Sequence, residues 1–341
     1  MARRNGPPVS EPLDEAFERA AGLLERAPSV ALACHVNPDP DALGSMLGLA
    51  DFLASKGKQV VCSWGNAPMA RPRWLAALDG SGYLVEPNAF PANPEVLICL
   101  DTAAPDRLGL LRANAERAAE VVVVDHHRTN PGFGSIVILD PAASSTAELV
   151  FRLVERMGGG LSDRAAACLY AGVVADTGRF QYEATTPETL RVAAELRRHP
   201  FDHARLAQAL FEDSSLGYLR VLALAMQRVA FVPEASLVWT YLTQSDLDRA
   251  AVTPDDLDDL IDVIRIAREA DVACVVKQQG DGRFRVSLRS RGDTDVGSIA
   301  KEFGGGGHRL ASGYTARHGP EESVSDLVEA IRRHRVTAAD G

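Results

Sequence analysis

The chain has 341 residues, which at about 150 per domain gives two domains, each large enough to bury a core, and its 46% apolar content is that of ordinary globular protein. A net charge of −10 excludes holding nucleic acid through overall positive charge, so an anionic substrate must meet a local cationic site such as bound metal with a few arginines. No apolar stretch approaches the roughly 20 residues that span a bilayer, and the five cysteines are scattered without a C-x-x-C pair, the pattern of a soluble cytoplasmic protein with buried thiols.

Arg3 and Arg4 are followed by Pro7-Pro8-Val9-Ser10-Glu11 and not by the apolar core of a signal peptide. Ser10 is a candidate cap for a helix in which Leu13, Phe17, Ala20, Ala21 and Leu24 share one stripe. A strand over 30–34, a loop over 35–41 and a helix over 42–55 come next, the helix ended by Gly57. Further strands are expected at 59–63, 96–100, 121–124 and 136–139, with Arg- and Ala-rich helical segments between them. Strands alternating with helices indicate βαβ units and a parallel sheet. Beyond Leu139 the pattern turns helical at 145–157, stopped by Gly158-Gly159-Gly160, and at 162–175. Residues 191–214 have helical spacing with few strand formers and read as a linker. The strand signal returns at 237–242, 272–277 and 283–289, with helices near 255–268, 296–303 and 322–335, so the last part reads as a smaller α/β domain.

Three of the apolar runs end on metal-ligand types of residue. One leads into His35-Val36-Asn37-Pro38-Asp39-Pro40-Asp41, the next into Asp101, and the third into Asp125-His126-His127. Neighbouring strand ends of a parallel sheet lie side by side along the edge where ligands bind, so these residues are expected to gather there. Each has a plainer role when taken alone. Asp39 and Asp41 suit the start of a helix, and Asp101 suits a turn. Asp176 closes an apolar helix at its negative pole, a mild penalty that a cation would remove. Together they offer enough oxygen and nitrogen for two divalent ions. Carboxylate and imidazole ligands without thiolate suit Mn²⁺, with Mg²⁺, Co²⁺ and Zn²⁺ also compatible. Such a pair serves in-line displacement at phosphorus.

In the last part, Arg283, Arg285, Arg289 and Arg291 fall on one face of an alternating strand pattern, which an ordinary solvated face would also produce. Gly304-Gly305-Gly306-Gly307-His308 follows. Its glycines permit close backbone approach and an anion-binding nest of amides, the plainer alternative being a flexible loop. Arginines and a Gly-His loop so close in sequence suggest phosphate capture.

The set His35-x-Asn37-Pro38-Asp39-x-Asp41-Ala42-Leu43-Gly44-Ser45, Asp101-Thr102, Asp125-His126-His127 and Asp176-Thr177-Gly178-Arg179-Phe180 resembles the DHH phosphoesterase superfamily, and the tract ending in His308 is similar to its DHHA1 substrate-binding domain. The elements stand in order over roughly residues 15–335 and look most like the nanoRNase and pAp phosphatase type. The resemblance implies an α/β fold: a parallel-sheet DHH domain with flanking helices over 12–190, a helical linker over 191–227, and a smaller α/β DHHA1 domain over 228–337, with the active site in the interdomain cleft. It implies that His35, Asp39 and Asp101 hold one metal while Asp41, Asp101, His126 and Asp176 hold the other, with Asp101 bridging. Asp125 would orient a histidine, His127 would face the scissile phosphate, and Arg285, Arg289, Gly306, Gly307 and His308 would contact substrate. The implied activity is hydrolysis of short oligoribonucleotides and linear or cyclic dinucleotides to mononucleotides, and removal of the 3′-phosphate of 3′-phosphoadenosine 5′-phosphate (pAp), by hydroxide activated by two metals. The resemblance also implies a homodimer that forms no stable nucleic-acid complex. Competing readings are a phosphodiesterase specific for cyclic dinucleotides, a manganese inorganic pyrophosphatase, which typically lacks the Gly-Gly-Gly-His tract, an exonuclease acting on long single strands, and a non-catalytic nucleotide sensor.

Overall fold

Short runs rich in valine, leucine and alanine, each closed by a turn former, make the strands of a parallel sheet, because such runs bury both faces under covering segments. The computed structural model describes residues 12–78, 81–253, 257 and 259–339, and the chain divides into two compact units, Met1–Asp213 and Ser214–Gly341. Among the described residues no helix is long and apolar enough to cross a membrane, and all five cysteines are buried outside any disulfide.

The first unit contains α1 (Leu13–Arg26), β1 (Ser29–Cys34), α2 (Pro40–Ser55), β2 (Gln59–Trp64), β3 (Val96–Leu100), α3 (Arg112–Arg117), β4 (Glu120–Asp125), β5 (Ile136–Leu139), α4 (Thr146–Arg156), α5 (Asp163–Asp176), α6 (Pro187–Leu196) and α7 (His203–Phe211). Ser10, the expected cap of α1, lies outside the described residues. The strands run in the order β2-β1-β3-β4-β5, and every pairing is parallel. Leu32, Cys34, Ile98, Leu100, Val122 and Val124 face the main core with the helices. The alternate residues Ala31, Ala33, Leu97, Cys99 and Val123 face a thinner layer that includes Leu108 and Leu111 from the 3-10 turn Pro105–Leu111.

Helices α2 and α5 cross at near backbone contact. A Cβ on Gly44 would lie 2.3 Å from the Cys168 carbonyl oxygen, and one on Gly172 would lie 2.6 Å from Asp41 Oδ1. This close crossing brings the first turn of α2 against α5, at the sheet edge where β1, β3 and β4 end.

The second unit contains α8 (Leu216–Gln227), β6 (Ala230–Val232), β7 (Leu237–Leu242), α9 (Gln244–Ala250), α10 (Leu260–Ile264), β8 (Val272–Gln278), β9 (Phe284–Ser290), α11 (Val296–Glu302), β10 (Gly306–His308), β11 (Ala311–Ala316) and α12 (Pro320–Ala339). Its sheet has the order β10-β11-β9-β8-β7-β6. Only β7 and β8 pair in parallel; the other neighbours are antiparallel. The stretch 191–227 holds the end of α6, α7 and α8, and the division between the units falls inside it.

Two expectations need correction. The glycine tract is not wholly loop: Gly306–His308 pairs with β11 as an edge strand, since glycine lets the chain approach where a Cβ on Gly307 would lie 2.5 Å from the Ala311 carbonyl oxygen. Of the four alternating arginines, only Arg285 and Arg289 lie within β9, on the face opposite buried Val286 and Leu288. Arg283 stands in the preceding turn and pairs with Asp281, while Arg291 donates to the Ala267 carbonyl.

Candidate metal centre

β1 delivers His35, β3 delivers Asp101, and β4 delivers Asp125, His126 and His127, all at adjacent C-terminal strand ends. Asp39 accepts from the Ala42 amide (2.9 Å) as the N-cap of α2. Its plain role as a helix starter and its place at the site therefore both hold. Asp41 follows in the first turn, after Pro40 at a position that needs no amide proton, and Asp176 arrives at the end of α5.

His35 Nε2 lies 3.6 Å from Asp39 Oδ2 and 3.3 Å from Asp101 Oδ2. His126 Nε2 lies 3.7 Å from Asp101 Oδ1 and 3.2 Å from Asp176 Oδ2. Both rings turn their other nitrogen to a carbonyl, His35 Nδ1 to Val36 O at 2.8 Å and His126 Nδ1 to Ala143 O at 3.3 Å. A donor role for Nδ1 fixes the tautomer that offers Nε2 as a ligand. Ligand atoms fall into three overlapping groups, Asp101 with His126 and His127, His35 with Asp39 and Asp101, and Asp41 with His126 and Asp176, each within 4.8 Å. The residues Asp39, Asp41, Asp101, Asp176, His35 and His126 thus converge.

Burial and the carboxylates of Asp101, Asp176 and Asp39 push the Asp41 carboxyl well above its ordinary range. Burial, with Asp101 adding to it against the opposing pull of His126, pushes Asp176 up to about 7. Burial works against a charged His35, yet hydrogen bonds to Asp101 and Asp39 pull it up to about 10. Without a cation, protons must supply the positive charge that balances this cluster. A pair of divalent ions fits the same donors and supplies that charge instead.

Asp101 adopts φ +52°, a left-handed conformation that a non-glycine residue holds only when its surroundings impose it. Its amide donates to the Val124 carbonyl (3.0 Å) on the neighbouring strand. Asp125 is fully buried and accepts from the amides of His126 (2.9 Å) and His127 (3.3 Å), from Asn130 Nδ2 (2.6 Å) and from His127 Nδ1 (2.7 Å). Despite burial, the bond to Asp125 and the nearby Asp101 charge raise the His127 pKa to about 9.

The hydroxyl of Thr146 and the start of α4 complete the arrangement and escape sequence reasoning. Asp41 accepts from the amides of Thr146 (2.7 Å) and Ala147 (2.9 Å), while Thr146 Oγ1 donates to Asp101 Oδ1 (3.0 Å). Ser145 caps the same helix through the Glu148 amide. Asn130 is a second omission. Three consecutive hydroxyl residues, Ser144-Ser145-Thr146, were the available signal. The substrate-contact candidates Arg285, Arg289, Gly306 and Gly307 lie in the second unit; the His308 side chain lies outside the described part of the structure.

Residues 29–173 match the N-terminal domain of the DHH family and residues 235–334 match the DHHA1 domain. The chain is similar to the bifunctional oligoribonuclease and PAP phosphatase NrnA of Thermus thermophilus, at 33% identity over 91% of each chain. It is likewise similar to NrnA of Bacillus subtilis, at 30% identity over 90% of this chain and 96% of that one. Among solved structures, an exopolyphosphatase-related protein from Bacteroides fragilis aligns with a TM-score of 0.88 and 27% identity, covering 95% of this chain and 97% of the other.

Proposed function

This chain belongs to the DHH phosphoesterase family and carries a DHHA1 domain, and from that premise we propose that it hydrolyses short oligoribonucleotides and dinucleotides to mononucleotides and removes the 3′-phosphate of pAp. The observation that carries this reading is the convergence of His35, Asp39, Asp41, Asp101, His126 and Asp176 at adjacent strand ends. In it, His35, Asp39 and Asp101 hold one divalent ion, and Asp41, Asp101, His126 and Asp176 hold the other. When bound, such ions supply activated hydroxide at neutral pH and neutralise charge developing on the phosphate oxygens.

The remaining work falls to side chains. Asp101, reached by both histidines, keeps the two ligand groups at a fixed spacing. Asp125 fixes the His127 ring through Nδ1, so Nε2 is the proposed donor of a proton to the leaving oxygen. Arg285 and Arg289 share one sheet face, each guanidinium fork being able to take two phosphate oxygens, and Gly306, Gly307 and His308 are the proposed close contacts to substrate. The first unit thus has the catalytic role, the second unit the substrate-binding role, and residues 191–227 the connecting one. Mn²⁺ is the proposed ion, because carboxylate and imidazole without thiolate suit it. Five buried cysteines outside any disulfide support a reducing cytoplasmic setting, and exposed Leu216 and Leu219 on α8 offer apolar surface for a homodimer.

The test is turnover with Mn²⁺ of a linear dinucleotide, pAp, a cyclic dinucleotide and inorganic pyrophosphate by one preparation. Mononucleotide and phosphate release from the first two, stopped by EDTA, is the expected result. Consumption of pyrophosphate alone, or binding without turnover, would overturn it.

A further inference from the structure

Beside His35, on the side away from the ligand cluster, the rim of the site is built with care. The turn Pro105–Leu111 is stapled to both neighbouring strand-end loops: the Val36 amide donates to the Arg107 carbonyl (2.8 Å) and the Leu110 amide to the Gly65 carbonyl (3.1 Å). Gly109 takes φ +54° there, and a Cβ on it would lie 2.6 Å from the Gly65 oxygen. The two loops are clasped to each other in turn. The Asn37 amide donates to Asn66 Oδ1 and Asn66 Nδ2 donates to Asn37 Oδ1, both at 2.7 Å, with Asn37 held at φ +52°. These bonds fix the backbone of Arg107 next to His35.

The Arg107 side chain is exposed, and Nη2 lies 3.3 Å from His35 Nδ1. That nitrogen is already 2.8 Å from the Val36 carbonyl, which only an N–H can satisfy. With its proton on Nδ1, His35 presents a donor to a donor, and the guanidinium gains no acceptor there. Among the described residues Arg107 has no carboxylate partner. Asp39 and Asp101 approach the opposite ring nitrogen, Nε2. The guanidinium therefore stands about one imidazole width outside the cluster, free of the carboxylates that gather at Nε2.

We infer that Arg107 binds a second, non-scissile phosphate monoester of the substrate, such as the terminal phosphate of a 5′-phosphorylated dinucleotide, and so sets a preference for phosphorylated ends. Its planar fork matches two phosphate oxygens at once. The inference rests on the phosphohydrolase reading above.

The test compares wild type, Arg107→Ala and Arg107→Lys on 5′-phosphorylated and 5′-hydroxyl diadenylate, with calorimetric titration of AMP as a readout independent of turnover. For Arg107→Ala, the KM for the phosphorylated substrate should rise about tenfold and AMP affinity fall about as much, with kcat little changed and the 5′-hydroxyl substrate unaffected. Arg107→Lys should fall between, and it carries the same test if the alanine variant melts early. Equal losses on both substrates, or a fall in kcat alone, would overturn the assignment. If wild type cleaves neither substrate, the phosphohydrolase reading itself fails, a distinct result.

Discussion

Replacing Thr146 by valine removes one hydroxyl and leaves the shape of the side chain and the backbone amide that Asp41 uses. The lost bond runs from Thr146 Oγ1 to Asp101 Oδ1 at 3.0 Å, between residues that are 0% and 2% exposed. A buried hydrogen bond to a charged acceptor contributes about 1.5–3 kcal/mol, and 1.4 kcal/mol is about tenfold in affinity. Asp101 belongs to two of the three ligand groups, so both ions should feel its loss of orientation. Mn²⁺ titration of the metal-free protein by calorimetry should show affinity about 10–100-fold weaker for Thr146→Val, the range expected when a group supporting metal ligands is deleted. Thr146→Ser keeps the hydroxyl and should bind within a few-fold of wild type. Wild-type affinity in the valine variant, or serine and valine variants equally weak, would refute the reasoning.

Other outcomes follow from the same geometry. Gly172→Ala places a methyl 2.6 Å from Asp41 Oδ1; overpacking should destabilise the protein by about 1–3 kcal/mol and cut turnover, and a fully active variant of wild-type stability would contradict the tight crossing of α2 and α5. Mn²⁺ at about 100 times its Kd should add about 2.7 kcal/mol, roughly 5–10 °C in melting midpoint for a unit of this size, reversed by EDTA. Arg289→Ala should raise KM with little change in kcat, whereas Asp101→Ala should abolish turnover; losses confined to KM in both would contradict the assigned roles. The hydrogen bonds from Arg228, opposed by burial, hold the Asp246 carboxyl well below its ordinary range. That contribution is therefore complete above the unfolded value of about 3.9 and lost as pH falls through the lower folded value. Asp246→Asn should lower urea stability of the second unit by about 1–3 kcal/mol at pH 7, with the gap to wild type closing below about pH 3; a gap that widens in acid would reverse the sign.

The first sheet and the gathering of acidic and imidazole side chains at its edge were legible because apolar runs are long-range signals with local punctuation. Val96–Leu100 ends on Asp101, and the valines of β4 end on Asp125, so parallel pairing alone predicted their meeting. Thr146 and Asn130 were not legible. Their roles depend on where α4 and the loop after β4 dock, which no spacing in the chain encodes. In the second unit, β7, β8 and β9 follow alternating or continuous apolar runs, but β10 and β11 are Gly-Gly-His and Ala-Ser-Gly-Tyr-Thr-Ala, with few strand formers. Pairing of β11 with β9, and of β10 with β11, imposes their extended form. Arg283 and Arg291 fit the alternation in sequence, yet a turn and a strand end divert them.

The most direct test of the central claim is anomalous diffraction at the manganese edge from crystals grown with Mn²⁺. Two peaks are predicted in each chain, one among His35, Asp39 and Asp101 and the other among Asp41, Asp101, His126 and Asp176. A single peak, or none within reach of Asp101, would contradict a two-ion site at these strand ends.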